Sequence, residues 1–160
     1  MPNQPSFSAL GEFLQALDQE KIPSILIGMM AAVDQGAPLS TLDYDFWIQL
    51  PKRKVVRIYQ IVQKCGGTLL APTFYELKDG TQVNVVFEPS GLRSFAAELV
   101  GCRISHVGGY PVRVLPLSRV IASKTAAGRD KDLSTLPVLK RTLKLKQKLN
   151  DARNKKKNGN

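Results

Sequence analysis

The sequence predicts an α/β (α+β) fold, a mixed β-sheet flanked by helices with a helical C-terminal segment. Three observations lead there. Stretches with apolar residues at helical spacing alternate with short apolar runs of strand character. Two turns, at Asp79-Gly80 and Gly108-Gly109, lie between extended segments and read as hairpins. The chain then closes with helical segments, an order that implies layers of helix packed on a mixed sheet.

Taken in order, Phe7, Leu10, Phe13, Leu14 and Leu17 predict a helix over about residues 7–19, capped by Ser6 or Ser8. Pro23 precedes Ile25-Leu26-Ile27, a short buried strand that Gly28 ends. MMAAVDQ follows with helix-forming composition, closed by Gly36 and Pro38. DYDFWIQL is the second strand. Pro51 suits the first turn of a helix over KRKVVRIYQIVQKC, whose Val55, Val56, Tyr59, Ile61 and Val62 form an apolar stripe and which Gly66-Gly67 terminates. TLLAPTFYELKDGTQVNVVF reads as extended segments around Asp79-Gly80. In QVNVVF, alternation places Val83 and Val85 on one face, Asn84 and Val86 on the other. SGLRSFAAEL reads as a helix capped by Ser90, and RISHVGGYPVRVLP as the second hairpin. Leu117–Ala127 is helical behind Pro116, and the remainder is helical with an interruption near Pro137. With no internal repeat and no linker, residues 1–149 are expected to form one domain, followed by a flexible basic tail over 150–160.

Composition narrows the class. At 160 residues the chain suits one domain with a real core. Hydrophobic content of 43% and a mean hydropathy of −0.13 are ordinary for a soluble protein. No apolar run approaches the roughly 20 residues of a membrane span, so no membrane partner is expected. MPNQPSFSAL lacks the pattern of a signal peptide. Cys65 and Cys102 form no CxxC pair, and reduced thiols in a cytoplasmic protein are expected.

The net charge of +10 is unevenly spread. Residues 140–160 hold nine Lys or Arg against Asp151 alone, while residues 1–139 hold fourteen basic and twelve acidic residues. The domain is therefore almost neutral, and the excess belongs to the C-terminal segment. That segment suits RNA, DNA or an acidic protein as partner. The alternative is a frayed terminus that aids solubility.

The chemistry-bearing feature is the pair Asp43 and Asp45 at the head of DYDFWI. A strand sends residues i and i+2 to the same face, so both carboxylates project together. Carboxylates that close repel each other unless a cation or proton sits between them. The pair is thus a candidate divalent-metal site for phosphoryl chemistry. The alternative is two polar residues on an exposed strand edge, because DxD is a short pattern.

Strand-ILIG-helix, then TLDYDFWI, then an extended segment after a hairpin turn, together resemble the nucleotidyltransferase superfamily of the polymerase-beta type. The segment VLPLSRVIASKTAAGRDKDLSTLPVLKR adds a lysine, an Ala-Gly-Arg and a Lys-Asp pair similar to the C-terminal motif of small bacterial nucleotidyltransferases and of the nucleotidyltransferase toxins of abortive-infection systems. The resemblance covers roughly residues 20–142. It implies a nucleoside triphosphate as ligand and Mg²⁺ (or Mn²⁺) as cofactor, with Asp43 and Asp45 as metal ligands and Gly28 as the phosphate-turn residue. It makes Lys124 a nucleotide-facing base and Lys131-Asp132 a supporting pair, with Met29, Thr41, Asn84 and Arg129 completing the nucleotide site. On a helix Lys124 and Gly128 share a face, so the small residue could let phosphate approach the lysine. Such sites use two metal ions about 3.5–4 Å apart to grip the attacking and leaving oxygens, and hard cations require oxygen ligands.

The chain departs from the pattern at four places. Met29 follows the turn glycine where Gly or Ser is usual. Leu39 stands where an arginine is expected, although Thr41 is kept. Ser134 and Thr135 occupy a stretch that often carries an acid. Most consequential, Asn84 stands where a third carboxylate is expected. Asparagine offers one neutral carbonyl oxygen and cannot act as general base, so one nucleotide-bound Mg²⁺ held by two carboxylates is the fuller expectation. The expected activity is transfer of a nucleoside monophosphate to a hydroxyl of a small molecule, protein or RNA. The alternative is a catalytically degenerate relative that works as a binding or regulatory protein. Lys52, Arg53 and Lys54 crowd a helix N-terminus, which the macrodipole disfavours; a bound polyanion or plain solvation explains them. His106 reads as structural, and Phe46 and Trp47 as core.

Overall fold

The computed structural model of the chain describes residues 6–159. Residues 1–5, part of the stretch read for a signal peptide, lie outside them, as does Asn160 of the basic tail. The elements run α1 (Ala9–Gln19), β1 (Ser24–Ile27), α2 (Gly28–Asp34), β2 (Asp43–Ile48), α3 (Val55–Lys64), β3 (Thr68–Ala71), β4 (Phe74–Glu76), β5 (Gln82–Val86), α4 (Phe95–Gly101), β6 (Arg103–Val107), β7 (Tyr110–Val114), α5 (Leu117–Ala127) and α6 (Asp130–Asn158). The seven strands form one mixed sheet in the order β3-β4-β5-β2-β1-β7-β6. β1 pairs antiparallel with β2 and parallel with β7, and β2 pairs parallel with β5.

The apolar pattern explains the layers. Phe13, Leu17, Ile25, Leu26, Phe46, Ile58, Val62, Val83 and Val114 are all buried in one core. Trp47 is buried too, its ring edge against Phe95 at 5.0 Å and its indole N–H donating to the Phe87 carbonyl at 3.1 Å. α1 packs on α3, while α2 packs on β1, β2 and α5, and α5 on α6. Both hairpins form at the glycine turns, with β4–β5 and β6–β7 antiparallel. Ser8 caps α1 by accepting from the Gly11 N–H. Among the described residues no helix is long and apolar enough to cross a membrane.

Three local expectations are corrected. The cap of α4 is Ser94, whose hydroxyl accepts from the Ala97 N–H, not Ser90; Gly91 at φ +68° turns the chain between them. Pro51 opens a 3-10 turn over Lys52–Lys54, and α3 proper starts at Val55. Pro137 does not interrupt α6, which runs unbroken through it to Asn158. Proline forfeits one backbone bond, but Leu136 and Leu139 on either side are buried, and their packing holds the helix together. Residues 150–158 therefore continue α6 as helix.

Candidate functional site

Three adjacent strands build the site. β1 and β2 place Ile27 opposite Asp45, and β2 and β5 place Asp45 opposite Asn84. Gly28, directly after β1, thus lies beside Asp45 on β2, and Asp45 beside Asn84 on β5, with Asp43 two residues before Asp45 on the same face. Gly28 has φ +68°, and a Cβ on it would come within 2.5 Å of the Asp45 Oδ2 atom. Glycine is required here both by backbone conformation and by the approach of the carboxylate.

Asn84 does something other than replace a carboxylate oxygen. Its Nδ2 donates to Asp45 Oδ1 at 3.1 Å, and its Oδ1 accepts from the Thr73 hydroxyl at 3.3 Å. An ionised carboxylate only accepts hydrogen bonds, so the partner fixes which way the amide points. Burial is the main influence on the Asp45 carboxyl and pushes its pKa up; the Asn84 hydrogen bond opposes this, the neighbouring Asp43 adds to it, and Lys124 and Lys131 oppose it. The net effect is a carboxyl raised above its ordinary value. Among the described residues no group of three or more His, Cys, Asp or Glu is placed to hold a metal. The donors present are two neighbouring carboxylates, a set that fits one hard divalent cation completed by ligand oxygens and does not fit two.

The opposite wall comes from the joint between α5 and α6. Gly128, at φ +63°, ends α5 by donating its N–H to the Lys124 carbonyl. It is a helix terminator, which corrects the expectation that it shares a helical face with Lys124. Asp132, in the first turn of α6, is 1% exposed. It accepts from Arg129 Nε at 2.7 Å and from Lys124 Nζ at 3.3 Å. Burial opposes its ionisation, but hydrogen bonds from Arg129 and Lys124 outweigh that and hold its carboxyl below the ordinary value. The partners of Asp132 are thus Lys124 and Arg129; Lys131, expected as its partner, is exposed and faces the cleft.

The two walls enclose a cleft with two lobes, of about 420 and 530 Å³. Asp45, Asn84, Lys124, Arg129, Lys131 and Asp132 border both. Gly28 lines the first lobe, and Met29, Thr41 and Asp43 the second. All ten residues that the resemblance assigned to the metal and nucleotide site therefore border one cleft. Leu39 packs against the core, Lys52–Lys54 are exposed, and His106 is exposed on β6.

Several lining and supporting residues escaped the sequence reading. Glu88, Ser90 and Ser123 line the first lobe and Phe74 the second; Ser134 and Thr135, noted in the sequence only as standing where an acid is usual, line the second as well. Glu88 was open to detection, since 84, 86 and 88 continue one alternation. Two buried polar groups set the walls. Gln35 donates to the Ala31 and Leu115 carbonyls, both at 2.9 Å, and accepts from the Leu117 N–H at 2.9 Å, tying α2 to the start of α5. Glu98 accepts from Arg119 through Nε and Nη2 at 2.9–3.1 Å and from Arg93 Nε at 2.8 Å. Those arginines hold its carboxyl at about 2. The clamp anchors α5 and the end of the loop carrying Glu88 and Ser90.

No family model matches the sequence, and no curated protein matches it. Solved structures do. An antigenic nucleotidyltransferase-like protein from Paracoccidioides brasiliensis superposes with a TM-score of 0.57 at 17% identity, over 89% of this chain and 79% of its own. The antibiotic-resistance factor ANT(2'')-Ia gives 0.54 at 15% identity, over 94% of both chains. The lincosamide antibiotic adenylyltransferase LnuA, solved with lincomycin bound, gives 0.53 at 11% identity, over 86% of this chain and 98% of its own. Likeness at these identities speaks for architecture, and on it the chain has the nucleotidyltransferase fold.

Proposed function

We propose that the cleft binds a nucleoside triphosphate together with one divalent cation, Mg²⁺ or Mn²⁺, and transfers a nucleoside monophosphate to a hydroxyl acceptor. The observation that carries this is the juxtaposition of Asp43 and Asp45 with Gly28 on one wall and Lys124, Arg129 and Lys131 on the other. Asp43 and Asp45 would hold the cation, which when bound neutralises phosphate charge. Gly28 keeps the space beside Asp45 free of a side chain. Lys124 and Arg129 are held by Asp132 with their cationic ends at the cleft, so triphosphate oxygens would share them with Asp132 and draw on charge-assisted hydrogen bonds. Asn84 orients Asp45 and has no basic atom with which to take the acceptor proton. Transfer is therefore expected to be slow relative to a site with a general base, by about 10²-fold.

A second reading has its own support in the amide of Asn84, which occupies one oxygen of Asp45. On it the chain is a degenerate relative that binds nucleotide, or a protein partner, without turnover. A panel of labelled triphosphates separates the readings. Mg²⁺-dependent transfer supports the first, and Mg²⁺-dependent binding without turnover supports the second. Absence of both binding and transfer in the wild-type chain would overturn the nucleotide site itself.

A further inference from the structure

We infer that the solvent face of α6 is a docking track for a nucleic-acid backbone. The inference stands apart from the nucleotide cleft and does not depend on it. As sequence, the C-terminal charge reads more readily as a frayed, solubilising terminus. As structure, it is ordered on a helix that runs without a break over Asp130–Asn158.

The buried side of α6 is marked by Asp132, Leu136, Leu139 and Thr142. At 3.6 residues per turn, Lys140, Arg141, Lys144, Lys148 and Lys155 fall on the opposite side within an arc of about 100°. All five are exposed. None takes part in an ion pair among the described residues. Lys140, Lys144 and Lys148 succeed one another every four residues, a rise of about 6 Å per step, and the track from Lys140 to Lys155 is about 22 Å long at 1.5 Å per residue. Between Lys140 and Lys155 the one acid is Asp151.

The arrangement selects among polyanions. A membrane-surface helix needs an apolar face to bury in lipid opposite its basic face; here the opposite face is covered by the protein's own core as far as Thr142, and beyond it carries the polar Asn150, Arg153, Asn154 and Lys157. A protein interface is anchored by buried aromatic or apolar groups inside the patch. No such side chain lies among the five cations, and the exposed Leu145 and Leu149 project from another side of the helix. What remains is a line of cations at regular rise without aromatic groups for stacking. That chemistry grips phosphates, releases counterions and reads no base.

The test uses the full chain and labelled single-stranded RNA, single-stranded DNA and duplex DNA, titrated from low to physiological salt. The expected result is saturable binding to RNA and DNA alike, with affinity falling linearly in log–log against salt. Replacing Lys140, Lys144 and Lys148 together by Gln is expected to reduce the slope on single strands by about 2, at about 0.7 per lost phosphate contact. Circular dichroism should show α6 retained. The pair Leu145→Ser and Leu149→Ser should leave binding unchanged. The inference is overturned by absence of saturable binding at low salt, by a triple variant with an unaltered slope, or by loss of binding in the leucine pair. Equal or tighter binding to polyglutamate or to phosphatidylserine vesicles, with the same dependence on the three lysines, would overturn it too, in favour of an acidic protein or a membrane.

Discussion

Two carboxylates in this molecule sit in opposite electrostatic states. Glu98 on α4 is fully buried and receives two arginines, and its carboxyl is held at about 2. Asp45 on β2 is buried less deeply, receives one neutral amide, lies beside Asp43, and is pushed above its ordinary value. The first is saturated, so its charge serves the fold by fastening α4 to α5 and to the loop before it. The second has less positive charge about it, and Lys124 and Lys131 oppose its burial without offsetting it. A shifted carboxyl does not by itself mark a functional site, because structural ion pairs such as that of Glu98 shift carboxyls too.

The largest way to break this comparison is at the saturated end. Arg119→Ala removes the bidentate partner and leaves Glu98 buried with Arg93 alone. A loss of about 3 kcal/mol in unfolding free energy is expected, read from urea titrations. The sign with pH follows from the folded value of about 2 against an ordinary 4.5. The contribution is complete above about pH 4.5 and is lost as pH falls towards 2, an amount of about 3 kcal/mol. In Glu98→Gln that part of the acid limb should flatten; an unchanged limb would place the stabilisation elsewhere.

At the unsatisfied end the expected cost is in function. Asp45→Asn should reduce Mg²⁺-dependent transfer, or Mg²⁺-dependent nucleotide binding if there is no turnover, by about 10²-fold. Its thermal midpoint without nucleotide should equal or exceed that of wild type, because a buried charge and its repulsion from Asp43 are gone. A drop in midpoint would show Asp45 to be structural. Gly28→Ala is expected to cost about 1–2 kcal/mol, from a left-handed backbone conformation now carrying a Cβ, and to weaken nucleotide binding by displacing Asp45. Differential scanning fluorimetry with and without nucleotide reads both effects.

The smallest and most informative effect is Asn84→Asp. It removes the amide donor and adds a third negative charge beside Asp45, so stability without divalent cation should fall by about 1 kcal/mol. Added Mg²⁺ should restore it, and transfer should rise. A variant indifferent to Mg²⁺ would mean that the strand ends do not form a cation site even with three carboxylates.

The sequence was most legible where the signal is local. Helical stripes, the Asp79-Gly80 and Gly108-Gly109 turns and the same-face placement of Asp43 and Asp45 depend on residues a few positions apart. The continuity of α6 was not legible in this way, because Pro137 suggested a break and only buried Leu136 and Leu139 make the helix continuous. The cap of α4 was misplaced because Ser90 and Ser94 are equivalent as local signals. The difference between them lies in Gly91, which packs directly on α5, where a Cβ would meet Ala126 at 2.5 Å.

What the amino-acid order determined by itself is therefore the alternation of helix and strand and the carboxylate pair that one strand presents. Only the tertiary structure decided what those carboxylates meet. Asn84 reaches Asp45 from 39 residues away because β5 lies next to β2. Gln35 joins α2 to the start of α5 across 80 residues, and Arg119 reaches Glu98 across 21. Periodicity is written into neighbouring residues, whereas the charge balance of a buried group depends on which strands and helices become neighbours. That balance separates the saturated Glu98 from the unsatisfied Asp45.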